Sequence, residues 1–407
     1  MEKAINHFLR IVLAISELLK ETTGIDPLLS RQTYDYDVSP EGWDYSRIVD
    51  ETAALRQDMN ELDPKRSCYI ARILESIEMM TREGLGENLS YEEKVSAYLG
   101  IEIDTIPEGV IDKIALELAE HLKDRGYSGE LSEAVGRWKE DTTVTGVEEL
   151  QKTADAFLVR AVNLTKKLVL PVPEELDINI TFPKDFPYNG YSESKKNYVS
   201  RIMLSGDIGW QKPALKHIVT HEALPGHTLY YATKERLYRA GELPVEGTVY
   251  LANTPVSPLA EGLCEIGQMM LGMVEDEDDH IYDLYSRLSS AIITNIAIEY
   301  NRKTVDKARA IKEMQKKAFI TELHAEKRFG FFSHPLWYIS FMHYWFGREI
   351  VQKCFTRMKD NLPEFYTMAY LKAQTIGGLQ EDVNNYLKYN YMSVGLSNKH
   401  SGGSMKC

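Results

Sequence analysis

At 407 residues the chain can bury a sizeable core, arranged as one large lobe or two, since single cores stop growing near roughly 250–300 residues. A formal net charge of −14 argues against a nucleic-acid partner, which requires clustered Lys and Arg, and no run reaches the ~20 apolar residues of a membrane span. The four cysteines, Cys68, Cys264, Cys354 and Cys407, are widely separated and lack C-x-x-C spacing, so neither a disulfide framework nor a cysteine zinc site is expected. The apolar run 11–15, bracketed by Arg10 and Glu17, is too short for a signal-peptide core, and a soluble cytoplasmic protein is expected.

In chain order, Ile5, Phe8, Leu9, Val12, Ile15 and Leu19 recur at helical spacing and predict an amphipathic helix over 2–19. A loop through Pro40 follows, then helices over 45–62, 65–83, 91–99 and 108–123, separated by Pro or Gly. Residues 147–168 carry Leu150, Ala154, Phe157, Leu158, Ala161 and Leu164 in register for another helix. Four prolines between Pro171 and Pro187 mark the lobe boundary. Within and after it, 177–182 alternates polar and apolar residues, and 198–204 is a second strand candidate. A small antiparallel sheet there either offers its edge to an extended peptide or simply covers the end of the next helix.

That next helix is where the chemistry concentrates. Three of the ten histidines, His217, His221 and His227, fall within eleven residues, and Glu222 follows the middle one. A metal that activates water needs a carboxylate base in that position. On a straight helix, at roughly 100° per residue, His221 and His227 point about 120° apart. Pro225-Gly226 offers the remedy: proline removes an N–H and crowds the preceding turn, and glycine tolerates the dihedrals that swing the chain back. The competing pair, His217 with His221, shares a helix face without distortion but leaves Pro225-Gly226 without a purpose. A third possibility is a buried helix whose imidazoles are merely hydrogen-bonded.

Downstream, 229–238 continues as helix and 241–258 reads as loop. Glu261 opens the following helix with Glu265 one turn later, a spacing that suits one metal ligand and one carboxylate that orients a histidine. The run 281–329 is helical, and because one rod of that length would span roughly 70 Å it should break near 301–304. An aromatic-rich helix then carries Tyr338, His343 and Tyr344, whose phenol and imidazole groups are donors of the kind a developing oxyanion requires.

The string His221-Glu222-Ala223-Leu224-Pro225-Gly226-His227 resembles the H-E-x-x-P-G-H signature of the domain of unknown function 885 family, which is similar to the gluzincin metallopeptidases. Glu261-Gly262-Leu263 resembles that family's downstream E-G-W segment, and 344–350, from Tyr344 through Gly347 to Ile350, resembles its Y-x-x-G segment. The resemblance covers roughly 171–391. It implies His221, His227 and Glu261 as metal ligands and Tyr344 as an oxyanion donor.

The expected protein is therefore a mainly α-helical, metallopeptidase-like fold with two lobes around a cleft and a small antiparallel β element before the metal-binding helix. Residues 1–170 would form the N-terminal lobe, 171–396 the catalytic lobe, and the Gly/Ser-rich residues 397–407 a disordered tail. One zinc ion would sit on His221, His227 and Glu261 with an open position for water. Glu222 would be the general base and the substrate a peptide or small amide. The alternative is an inactive helical binding or structural protein on the same scaffold.

Overall fold

A computed structural model describes residues 2–40 and 42–397, with residues 390–397 given by backbone alone. The expected tail lies outside the described residues from 398 onward. The first helix, α1 (Glu2–Thr23), buries Ile5, Phe8, Leu9, Val12 and Ile15 along one stripe. It runs past Leu19 because nothing opposes helix until Gly24, which takes a φ of 76°. Helix α2 (Tyr45–Asp58) is capped by Asp44 and α3 (Pro64–Gly84) by Asp63, with proline in its first turn. Ser90 and Glu93 form a capping box on α4 (Tyr91–Leu99), which ends at left-handed Gly100. Three helices complete this part: α5 (Glu108–Asp124), α6 (Leu131–Thr142) and α7 (Val147–Leu168). The sequence reading missed α6, which buries only Ala134, Val135 and Trp138, too short a stripe to show a period.

Five strands follow or flank α7. Two short ones, β1 (Thr143–Val144) and β5 (Trp210–Gln211), pair antiparallel. The other three, β2 (Asp177–Thr181), β3 (Gly190–Lys195) and β4 (Val199–Leu204), form a sheet in the order β2-β4-β3. The antiparallel pair is β3 with β4, whereas the two strands anticipated from sequence, β2 and β4, run parallel. The intervening β3 reads Gly-Tyr-Ser-Glu-Ser-Lys and buries neither face, so alternation does not betray it. One long edge of β3 is left without a strand partner in the sheet.

Helix α8 (Lys212–Glu222) leads into α9 (His227–Arg239) and, after a loop containing a 3-10 turn at Val245–Thr248, into α10 (Ser257–Glu265) and α11 (Gly267–Met270). The long helical run is broken twice, giving α12 (Glu277–Asn301), α13 (Lys307–Lys317) and α14 (Glu322–Phe332). The first break matches the expected one. The second arises at left-handed Phe319, after which Thr321 caps α14. Helix α15 (Trp337–Ser340) and a π-helical turn (His343–Gly347) lead into α16 (Arg348–Arg357), α17 (Leu362–Tyr370) and α18 (Ile376–Ser397). The fold is mainly helical with this small sheet, and one apolar cluster extends from α1 to α18. Contacts across it include a bridge between Leu28 and Leu251, and a hydrogen bond of 3.0 Å from the Tyr91 hydroxyl to the Tyr338 carbonyl. Among the described residues no helix is long and apolar enough to cross a membrane.

Candidate metal centre

The helix carrying the histidines does break at Pro225-Gly226. Helix α8 stops at Glu222, the Leu224-Pro225 bond is cis, and α9 restarts at His227. The Gly226 N–H donates to the Thr220 carbonyl at 3.1 Å, and the Thr228 hydroxyl donates to the Glu222 carbonyl at 2.9 Å, so side chain and backbone stitch the gap. A Cβ at Gly226 would lie 1.7 Å from the His221 carbonyl oxygen, which no relaxation of a side chain could relieve. Only glycine lets the chain pass there.

The turn brings the rings of His221 and His227 to a centroid separation of 5.1 Å. From α10, the Glu261 carboxylate reaches both: Oε2 is 3.5 Å from His221 Nε2, and Oε1 is 3.3 Å from His227 Nε2. Two ligands each about 2.0–2.1 Å from a tetrahedral ion stand about 3.3 Å apart, close to these spacings. Among the described residues buried Glu261 Oε2 has no hydrogen-bond partner, an arrangement that costs free energy unless a cation claims it. On the other side of the His221 ring, Nδ1 lies 3.3 Å from Glu265 Oε1, off the line of a hydrogen bond. A carboxylate behind a ligating imidazole sets its tautomer and orientation. These residues fit a cation held by His221 Nε2, His227 and Glu261, with Glu265 supporting from behind.

Two other groupings deserve comparison. His217, His221 and Glu265 each place one ligand atom within 4.8 Å of the others, and so do His221, His227 and Cys264. The first uses the face of His221 turned away from Glu261, and His217 Nε2 stands farther off, 3.8 Å from Glu265 Oε2. Cys264, three residues after Glu261 on α10, was not a candidate from sequence. Burial and the nearby Glu261 push its thiol well up, whereas Glu261 is held well below the usual carboxylate range because His227 and His221 outweigh its burial. Glu261 reaches both imidazoles, at 3.5 and 3.3 Å, so it is preferred as the third ligand.

Glu222 is buried, and burial raises its carboxyl above the ordinary value against the pull of His221 and His227. For His221, burial works against protonation, but Glu261 and Glu265 overcome it and raise it well above the usual value. A Cβ at Gly190, the first residue of β3, would come within 2.8 Å of Glu222 Oε1. Edge strand and base are thus in immediate contact across a cavity of about 760 Å³ that also receives His221, His227, Glu261 and Tyr344.

Tyr344 lies on the π-helical turn, its ring 5.0 Å from that of His343. Burial and Glu261 push its phenol well up, so it keeps its proton as a donor. His343 Nδ1 is buried without a hydrogen-bond partner in the same cavity. The third aromatic candidate, Tyr338, is elsewhere: its hydroxyl donates to Glu83 on α3 at 2.8 Å. Tyr231 and Tyr250, stacked at 5.6 Å, also line the cavity and went unnoticed in the sequence, where each is one tyrosine among twenty-four. Glycines bring the α10 and Tyr344 segments together, since a Cβ at Gly262 would lie 2.5 Å from the Gly347 carbonyl oxygen and one at Gly347 would lie 2.6 Å from that of Pro258.

No family model matches the chain, and no curated protein does. Among solved structures it is similar to a presumed lipoprotein from Colwellia psychrerythraea, with a TM-score of 0.59 and 18% identity over 84% of this chain and 67% of that one. A presumed lipoprotein of unknown function from Shewanella oneidensis is also similar, with a TM-score of 0.55 and 11% identity over 83% of this chain and 72% of that one. At these identities the likeness is one of fold.

Proposed function

We propose that the chain is a zinc-dependent hydrolase of peptide or small amide bonds, of the gluzincin-like kind suggested by its resemblance to the domain of unknown function 885 family. The observation that carries this reading is the convergence of His221, His227 and Glu261 beside buried Glu222 in one cavity. Zinc, when bound by those three side chains, would acidify water and polarise the scissile carbonyl. Glu222 accepts a proton from the attacking water and delivers it to the leaving nitrogen as the C–N bond breaks. Burial raises its carboxyl above the ordinary value, the direction that suits a group that must both take and give a proton. Tyr344 donates its phenolic hydrogen to the carbonyl oxygen as charge develops. The free edge of β3, with Gly190 to Ser192 lining the cavity, offers main-chain groups to an extended peptide.

A cytoplasmic location belongs to the same proposal and is supported by the cysteines, since Cys68, Cys264 and Cys354 are free. Metal analysis and peptide cleavage test the activity together. Purified protein is expected to carry about one zinc per chain, and Glu222→Gln should keep the metal while losing roughly 10²–10⁴ in rate. Protein that binds no zinc and folds identically after chelation would instead be an inactive scaffold.

A further inference from the structure

Away from the histidines, one wall of the same cavity is basic. Helix α14 presents His324, Lys327, Arg328 and Phe331 to it, a stripe at the i, i+3, i+4, i+7 spacing of one helix face. Lys327 is already committed: its Nζ donates to the Phe186 carbonyl at 2.7 Å and to Ser205 Oγ at 2.9 Å, and lies 3.6 Å from Asp207. Lys139, arriving from α6, donates to the Tyr285 hydroxyl at 2.6 Å and the Phe319 carbonyl at 2.7 Å. Arg328 differs. It is half-buried, and among the described residues it has neither an ion pair nor a hydrogen bond. Its neighbours by charge are the phenols of Tyr282, Tyr285 and Tyr344, all kept protonated by burial.

The forked donors of a guanidinium match a carboxylate. Among the described residues the buried Nε2 of His324 has no hydrogen-bond partner, and burial together with Arg328 pushes the ring down to about 3, leaving it neutral with one N–H to give. Arg328, Tyr344 and Glu261 line the same cavity, so the basic wall and the metal centre open onto one space.

We infer that Arg328, assisted by His324, binds a carboxylate of the substrate and thereby selects peptides bearing an acidic group close to the bond that is cut. The inference rests on the hydrolase reading for the word substrate, but the binding site stands on its own geometry. Two sources of the carboxylate are possible, the peptide C-terminus and an acidic side chain, and the site chemistry is the same for both.

Calorimetric titration of the zinc-loaded full chain separates them. The probes are N-acetyl-trialanine, its C-terminal amide, and an amidated N-acetyl-dipeptide whose one carboxylate is a glutamyl side chain. Whichever source is recognised, its acid is expected to bind about tenfold or more tightly than the neutral trialanine amide. Preference for the free C-terminus supports an exopeptidase-like register, and preference for the glutamyl probe supports side-chain recognition. In Arg328→Ala the ratio should fall to near one, with Arg328→Lys retaining part of it. Equal binding of all three probes to the wild-type chain, which requires no variant to fold, overturns the inference, as does an undiminished ratio in a folded Arg328→Ala. Product analysis of the same probes after incubation with the chain reads cleavage separately: a carboxylate preference without cleavage would remove the hydrolase reading and leave the Arg328 site intact.

Discussion

Glu261 and Cys264 sit one helical turn apart and compete for the same role, so each can be tested by its removal. Because the Glu261 carboxylate reaches both imidazoles, at 3.5 and 3.3 Å, Glu261→Ala is expected to lose stoichiometric zinc while Cys264→Ser keeps it. Elemental analysis after gel filtration reads the difference, and the reverse result would move the third ligand to Cys264. His324 supplies a pH test. Its ring is pushed down to about 3 by burial, whereas an imidazole in the unfolded chain titrates near 6.5. The stability it contributes is present above about 6.5 and is lost as pH falls toward about 3, because only the unfolded chain takes up the proton. Denaturant unfolding at pH 7.5 and 4.5 should therefore show a smaller acid loss in His324→Gln than in the wild type, and equal losses would contradict the assignment. At this scale the sequence was most readable where spacing is local: His221, Glu222 and His227 are separated by one short turn. Cys264 stands one turn from Glu261 but in no cysteine motif, and Tyr231, Tyr250 and Arg328 reach the site through packing between elements, which local spacing does not report.

Glycines govern how the elements meet. Gly226 is needed because α8 passes its own carbonyl where a Cβ would stand, and that requirement was legible as Pro225-Gly226 inside a helical pattern. Gly262 is needed for a different reason, the close crossing of α10 on the turn that carries Tyr344. Gly262→Ala places a methyl 2.5 Å from both the Gly347 carbonyl oxygen and Val351 Cγ2. Overpacking of this kind costs about 1–3 kcal/mol, and it should also part Glu261 from Tyr344. The expected outcome is a lower denaturant midpoint together with weaker zinc binding; unchanged values for both would mean that the crossing is not tight. Strand β3 shows where reading by pattern stops, since a polar edge strand has no buried face to produce alternation.

Across the whole molecule, the helices named from periodicity are largely those observed, because long amphipathic stripes such as that of α1 advertise their buried face. How they pack was less readable. The lobe boundary expected at 170 is read from the prolines between Pro171 and Pro187, and across that position α3 is tied to the loop after α9 through Arg66 and fully buried Glu246, with Nε to Oε1 at 2.5 Å. Removing the arginine strands a carboxylate in the interior, so Arg66→Ala is expected to destabilise the chain by about 3 kcal/mol, measured by equilibrium unfolding. A loss below about 1 kcal/mol would show that Glu246 is satisfied by other means.

Crystals grown with zinc and measured across its absorption edge would test the ion-binding arrangement most directly. An anomalous peak bounded by His221 Nε2, His227 and Glu261, with Glu222 alongside but not coordinating, is the predicted result. A peak between His217 and Glu265, or none at full zinc occupancy elsewhere in the lattice, would contradict it.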